Sequence, residues 1–172
     1  GRTAFGLLLD AMEIGEGDEV VIPGYTYRFL LPVMTRRRIV PVPVDIDPET
    51  YNTSPPAIEA ACGARTRMIV VAHIFGVPAD IERITRIGAK RGIPVVADAA
   101  QAIGSLWRGR HVGTAFDAAF FSLDMTKQLA TYTGGIAVTD DDELARQLRS
   151  AAEVLPLSRF ALLKKILLAH AE

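Results

Sequence analysis

Polar residues that could do chemistry follow the ends of several apolar segments. His73, Asp98 and Ser122 each come directly after such a segment, and Lys127 lies shortly beyond Ser122. In open α/β sheets, ligands bind beyond the carboxyl ends of the strands. If these segments are neighbouring strands, an acid, a hydroxyl, an imidazole and an amine lie at the ligand-binding edge. We therefore treat these four residues as candidates for a functional site.

Each of the candidates also has an ordinary structural explanation. Asp98 could cap a following helix, Ser122 could satisfy a backbone group at a strand end, and a loop lysine is usually solvated. Lys127 differs from an average loop lysine because it lies between a buried strand and the pair Gly134-Gly135. At such glycines the backbone can approach a ligand closely. The residues alone leave both explanations open.

The sequence predicts neither a metal site nor a nucleotide-binding loop. His73 has no metal-ligand spacing with His111 or His170, and Cys62 is the single cysteine. No glycine-rich dinucleotide fingerprint or P-loop is present. A ligand at the predicted sheet edge must be bound in another way.

Composition bounds the class of protein. The 172 residues are 49% hydrophobic and 23% charged, which is typical of a globular domain with a substantial core. The formal net charge of -1 predicts no general attraction to nucleic acid or anionic membranes. No apolar run approaches the length of a membrane span, and a lone cysteine does not suggest a secreted disulfide framework. A cytoplasmic enzyme is the expectation.

Strands and helices alternate along the chain. The predicted strands are Glu19–Ile22, Ile39–Val44, Arg67–Ala72, Ile93–Ala97, Ala115–Phe121 and Ile136–Thr139. The predicted helices are Phe5–Met12, Thr26 to about Arg36, about Pro56 to Gly63, Ala79–Arg91 and Asp141–Ala152. Strands that are apolar throughout are buried on both faces, so we expect an α/β domain with three α/β/α layers and a mostly parallel sheet. Two prolines favour an edge position for Ile39–Val44, and a hairpin is predicted around Arg108-Gly109-Arg110.

Six short segments together resemble the DegT/StrS-type family of sugar aminotransferases, which depend on pyridoxal 5'-phosphate (PLP). The segments, in chain order, are Gly17–Val20, Pro23–Tyr27, Val44–Asn52, His73–Asp80, Asp98–Ala102 and Phe121–Lys127. Any one of them is common, and their order and spacing carry the resemblance, which runs from Gly1 to about Arg149. It implies the major-domain fold of the fold-type-I PLP enzymes, and PLP as the cofactor.

The resemblance also implies a role for each site residue. Lys127 would form the Schiff base with PLP and move protons at the substrate carbon, and Asp98 would keep the pyridine nitrogen protonated. Gln101 would hydrogen-bond the phenolic oxygen, and Tyr27 would stack on the ring. The phosphate would be bound by one hydroxyl and two helix N-terminal amides, those of Ser122, Gly1 and Arg2.

The sequence departs from the family pattern on the substrate side. Arg2 occupies the position of a threonine, Arg28-Phe29-Leu30 follow Tyr27 where small residues are usual, and Tyr132-Thr133 replace part of a glycine-rich loop. These differences concern the substrate more than the cofactor. Dehydratase relatives have histidine in place of the lysine, so Lys127 favours transamination.

The implied reaction is amino transfer from an amino acid, glutamate or glutamine, to a keto sugar that is nucleotide-linked. Two alternatives stay open: a catalytically silent PLP-binding relative with a binding or regulatory role, and a PLP enzyme of another class, such as an aldolase or lyase. Family members are longer and act as homodimers. We therefore expect residues 1–152 to be a large domain lacking a short N-terminal piece. Residues 153–172, with a basic amphipathic helix at Arg159–His170, would lead toward a small domain and pack on it rather than on a membrane surface.

Overall fold

The computed structural model describes residues 1–153 and residue 155. It contains a six-stranded sheet with the strand order β2-β1-β3-β4-β7-β8, and a separate small hairpin, β5-β6. The strands are β1 Glu19–Pro23, β2 Val40–Val44, β3 Thr66–Ala72, β4 Val95–Asp98, β5 Leu106–Trp107, β6 Arg110–His111, β7 Ala118–Ser122 and β8 Gly135–Val138. All neighbours from β2 to β7 are parallel, and only β8 runs antiparallel, to β7. The predicted mostly parallel sheet is confirmed, and so is the hairpin.

The helices cover both faces of the sheet. They are α1 Arg2–Ala11, α2 Leu31–Thr35, α3 Pro55–Ala61, α4 Ile81–Arg91 and α5 Asp142–Glu153. The core residues of α1, α2 and α5 pack on one face, and those of α3 and α4 pack on the other. The three-layer α/β/α architecture is therefore confirmed.

Strand β3 shows why the buried strands are apolar throughout. Met68 and Val70 point into the core beneath α1, whereas Ile69 and Val71 point into the core beneath α4. All four side chains are fully buried. Successive strand residues face opposite sides of a sheet, so a strand covered by helices on both sides needs apolar residues at every position.

The ends of helix α4 are set by its sequence. The Asp80 carboxylate accepts a hydrogen bond from the Arg83 backbone N–H, which caps the N-terminus, and Gly92 ends the helix in the left-handed conformation. Gly88 faces the sheet, where a Cβ atom would overlap the Val95 side chain and the Ile93 carbonyl. The close packing of α4 on β4 fixes the strand that ends at Asp98.

The prolines of β2 fit its edge position, as the sequence predicted. Val40 donates its N–H to the Asp18 carbonyl beside β1, so the alternation of the strand turns the nitrogens of Pro41 and Pro43 toward the open edge. No ladder hydrogen bond is lost there.

The second predicted helix, from Thr26 to about Arg36, is wrong in its first part. Arg28–Leu30 form a 3₁₀ turn, and α2 begins only at Leu31. Pro32 explains the difference, since a proline is accommodated in the first turn of an α-helix but clashes with the preceding turn when it lies deeper. Thr26 caps neither segment: its Oγ1 is buried and has no hydrogen-bond partner among the described residues.

Within the described residues, no helix is long and apolar enough to cross a bilayer. The helix predicted at Arg159–His170 lies outside the described residues. The division at residue 152 stays a prediction.

Candidate active site

A cavity of about 1330 Å³ opens at the carboxyl edge of the sheet. Neighbouring strands bring the polar residues there in register, since Ala72 of β3 lies opposite Asp98 of β4, and Asp98 lies opposite Phe120 of β7. The cavity is lined by all the residues that the sequence analysis assigned to the site: Gly1, Arg2, Tyr27, Asp98, Gln101, Ser122 and Lys127.

Asp98 is the last residue of β4 and is only 8% exposed. Its Oδ1 accepts a hydrogen bond from the Ala100 N–H at 3.0 Å, while Oδ2 accepts none from the part of the chain described. Burial raises the pKa of Asp98 to about 6, against the opposing effects of the Ala100 amide and of Lys127. Residues 99–105 form turns. The alternative explanation, that Asp98 caps a following helix, is therefore wrong, and Oδ2 is available to a ligand.

Gln101 is held in one orientation by a turn that the sequence analysis did not connect with it. Its Oε1 accepts a hydrogen bond from the Phe75 N–H at 2.9 Å, so Nε2 is left as a donor. Phe75 and Gly76 both have positive φ, and a Cβ on Gly76 would lie 3.1 Å from Ser105 Oγ and 3.3 Å from the Gln101 carbonyl oxygen. The turn therefore needs glycine at residue 76 to pack against the Gln101 loop.

The start of α1, the end of β7 and the Gly134-Gly135 pair meet at one wall of the cavity. A Cβ on Gly1 would lie 3.1 Å from Ser122 Cβ, and a Cβ on Gly135 would overlap Gly1 N and the Phe121 carbonyl oxygen. Gly1 N also donates a hydrogen bond to the Gly134 carbonyl at 2.8 Å. The absence of side chains leaves room for an anion beside the helix N-terminus and the Ser122 hydroxyl.

Lys127 is a half-buried residue of the cavity wall, so the expectation for an ordinary solvated loop lysine does not apply to it. Its backbone N–H donates to the Asp124 carbonyl at 3.0 Å, which closes a turn after β7. Its Nζ has no hydrogen bond or ion pair within the described residues, and its charge is close enough to lower the pKa of Asp98. An amine that no described residue engages therefore lies in the same cavity as a buried carboxylate.

His73 and Tyr27 also line the cavity. His73 is 1% exposed, its Nδ1 accepts the Ala79 N–H at 3.1 Å, and its ring stacks on Phe116. Burial lowers the pKa of His73 to about 4, an effect that the Val112 backbone opposes in part, so the ring is neutral at pH 7 with its proton on Nε2. Tyr27 is 56% exposed at the cavity mouth, so its ring is accessible to a ligand.

No group of histidine, cysteine or carboxylate side chains in the described part of the chain is arranged to bind a metal ion. Cys62 is buried on the α3 side of the sheet, away from the cavity lining.

Residues 1–157 match the family model of the DegT/DnrJ/EryC1/StrS aminotransferase family. The chain belongs to this family. The match covers every element from α1 to α5, and so includes all the residues that line the cavity.

Solved structures agree with this family assignment. The fold is similar to that of 3-amino-5-hydroxybenzoic acid synthase, with 36% identity over 88% of this chain and 39% of that chain, and a TM-score of 0.83. It is similar to DesI, solved in the presence of its TDP-sugar product, with 33% identity over 87% of this chain and 38% of that chain (TM-score 0.81). A putative sugar aminotransferase, Spr1654 from Streptococcus pneumoniae, solved in its PLP form, is 29% identical over 86% of this chain and 43% of that chain (TM-score 0.80). This chain spans about two fifths of the length of each.

Proposed function

We propose that this chain forms the cofactor-binding domain of a PLP-dependent aminotransferase. The observation that carries the proposal is the meeting of Asp98, Gln101 and Lys127 in one cavity beside the glycine-lined wall. Each of the three has an atom that no described residue engages: a carboxylate oxygen, an amide N–H₂ and an amine. The family and the similar solved structures support the same activity.

The cavity fits the polar groups of PLP. The cofactor carries a basic pyridine nitrogen, a phenolic oxygen, an aldehyde and a phosphate. Asp98, Gln101 and Lys127 would hold the first three through Oδ2, Nε2 and Nζ respectively. The phosphate would be held at the wall where glycine is required, by Ser122 Oγ and the Arg2 amide. The Gly1 nitrogen, which the resemblance also assigns to the phosphate, donates to the Gly134 carbonyl in this structure.

When bound, PLP supplies an electron-poor ring that accepts electron density from the carbon losing a proton. Asp98 would keep the pyridine nitrogen protonated, because a buried carboxylate stabilises a positive charge beside it. Burial raises the pKa of Asp98, and the positive charge of the protonated nitrogen would lower it again. The buried Asp98 carboxylate would therefore gain an ion-pair partner, the pyridine nitrogen, when the cofactor binds.

Lys127 has two tasks in the proposed reaction. Its Nζ would hold the cofactor covalently, and as a free amine it would carry a proton between the α-carbon of the donor and the cofactor. The lack of an ion-pair partner for Nζ within the described residues supports both tasks, since an ion pair would stabilise the ammonium form, which has no lone pair to form a bond or to accept a proton.

Amino transfer to a keto sugar is the finer part of the proposal. DesI was solved with a TDP-sugar product, and Spr1654 is a putative sugar aminotransferase. We propose a nucleotide-linked keto sugar as the acceptor and glutamate or glutamine as the amino donor. We also propose a homodimer in the cytoplasm as the working form, as expected from the resemblance and from the single cysteine.

A half-reaction tests the proposal. The full-length protein that contains this chain, loaded with PLP, should lose the absorbance band of the lysine-bound cofactor when glutamate is added, and gain the band of the amine form. Asp98→Ala should retain part of the first band yet convert at least 100-fold more slowly, because the electron sink is weakened. Asp117→Ala is a matched control, since Asp117 binds the Val95 N–H at the opposite end of β4. A stable first band under saturating glutamate and glutamine would instead favour a silent relative or another reaction class.

A further inference from the structure

Two arginines share one aromatic ring at the mouth of the cavity. The Cζ atom of Arg2 lies 5.5 Å from the centroid of the Phe29 ring, and that of Arg28 lies 4.8 Å from it. Tyr27, which lines the cavity, packs against the same ring with 5.1 Å between centroids. We call Arg2 and Arg28 the arginine pair.

The arginine pair is not engaged by any carboxylate of the described residues. Within residues 1–153 and 155, neither guanidinium forms an ion pair or a hydrogen bond. Three other arginines, for example, are engaged: Arg37, Arg65 and Arg108 each lie within 3.0 Å of a carboxylate oxygen. Two positive charges on one ring repel each other, and an anion bound at either guanidinium would reduce that cost.

The local fold holds the pair at the mouth. Arg28 and Phe29 belong to the 3₁₀ turn that replaces the predicted helix, and the turn is anchored by Leu30, which is buried in the core with α1. Arg2 belongs to the first turn of α1. A guanidinium that stacks by its face keeps its N–H donors free at its edge, and this planar fork matches a phosphate or a carboxylate.

We propose that the arginine pair binds an anionic group of the keto-sugar acceptor, a phosphate or a carboxylate, which makes Arg28 a specificity-determining residue. The inference rests on the proposed function. It also accounts for two of the three places where this sequence departs from the family pattern, at Arg2 and at Arg28-Phe29.

The position of Arg28 argues against a role in binding the α-carboxylate of the amino donor. The α-carboxylate of an amino acid is attached to the reacting carbon, so it must lie inside the cavity beside Lys127. Arg28 lies outside the cavity lining, beyond Tyr27. A group several bonds from the reacting carbon reaches that place. The phosphate of a sugar nucleotide and a carboxylate across a ring are such groups, and so is the side-chain carboxylate of glutamate, which the glutarate titration separates from the acceptor.

Direct binding to the PLP-loaded, full-length protein tests the inference. The phosphate of PLP would then occupy the glycine-lined wall beside Ser122, which we call the phosphate wall, so an added anion must bind elsewhere. Inorganic pyrophosphate and glutarate, an analogue of glutamate without the amine, serve as probes in calorimetric titrations. We expect Arg28→Ala to weaken pyrophosphate binding about tenfold or more, since two charge-assisted hydrogen bonds are lost. Arg28→Lys should restore part of the affinity, because charge returns without the planar fork. The matched control is Arg36→Ala, which removes an exposed arginine that also has no ion pair among the described residues.

Separate outcomes distinguish the inference from the proposed function. Unchanged pyrophosphate binding in Arg28→Ala, with the absorbance band of bound PLP intact, overturns the inference and leaves the cofactor assignment in place. A loss of glutarate affinity and of the glutamate half-reaction in Arg28→Ala also overturns it, because the pair would then serve the donor. Weaker binding of pyrophosphate alone supports a phosphate-bearing acceptor. Equal weakening of pyrophosphate and of shikimate, a ring carboxylate, with the half-reaction intact supports recognition of either anion.

Discussion

The side-chain carbonyl of Gln101 accepts a hydrogen bond from the backbone N–H of Phe75 at 2.9 Å. Phe75, which offers this N–H, has a left-handed backbone with a φ of 54°. Such a conformation is uncommon for a non-glycine residue and is usually maintained by the surrounding packing. Here it fixes which end of the Gln101 amide is free, and the free end is the N–H₂ donor.

Gln101→Glu should therefore weaken PLP binding. The acid has no N–H donor, and its second oxygen would face the phenolic oxygen of the cofactor. We expect the dissociation constant to rise about tenfold or more, as for a charge-assisted hydrogen bond that is lost. Fluorescence titration with PLP measures it. Gln147→Glu, on the exposed side of α5, introduces the same charge and should leave the constant unchanged.

Asp98 should make the cofactor-free protein less stable as the pH rises. Burial raises the pKa of this carboxyl from 3.8 to about 6, so between these values the folded state binds more protons than the unfolded state. The free energy of unfolding should fall across this window by up to about 3 kcal/mol. Asp98→Asn, which cannot ionise, should lack that fall. Thermal unfolding of both proteins from pH 4 to pH 7 checks this, and parallel curves would contradict it.

Gly135→Ala should disrupt the phosphate wall. The new methyl group would overlap Gly1 N and the Phe121 carbonyl oxygen, and both are backbone atoms that cannot rotate away. We expect a loss of about 1–3 kcal/mol in stability, as for overpacking elsewhere, together with weaker PLP binding. Gly15→Ala is the matched control, because its Cβ would meet nothing within 4 Å. Equal thermal midpoints and equal PLP affinities for the two variants would show that the wall tolerates a side chain.

The sheet and most of the site were predictable because they depend on local pattern and strand order. Apolar strands such as β3 identify a sheet buried on both faces, and polar residues at the strand ends then fall at one edge. Asp98 and Ser122 were found in this way, although the structure makes them the last residues of their strands rather than the first residues after them.

Other features depend on contacts that no local pattern encodes. The left-handed turn at Phe75 meets Gln101 across 26 positions of sequence, and the arginine pair joins α1 to the turn before α2. Pro32 is an exception, because the preference of proline for the first helical turn predicts a start of α2 near Leu31 rather than Thr26.

The proposed function depends on covalent attachment of PLP to Lys127. The most direct measurement is borohydride reduction of the PLP-loaded, full-length protein, followed by digestion and mass spectrometry of the labelled peptide. We expect the phosphopyridoxyl group on Lys127, no labelling in Lys127→Ala, and full labelling in Lys90→Ala, whose lysine pairs with Glu59 on the surface. Labelling at another lysine, or undiminished labelling of Lys127→Ala, would contradict the account.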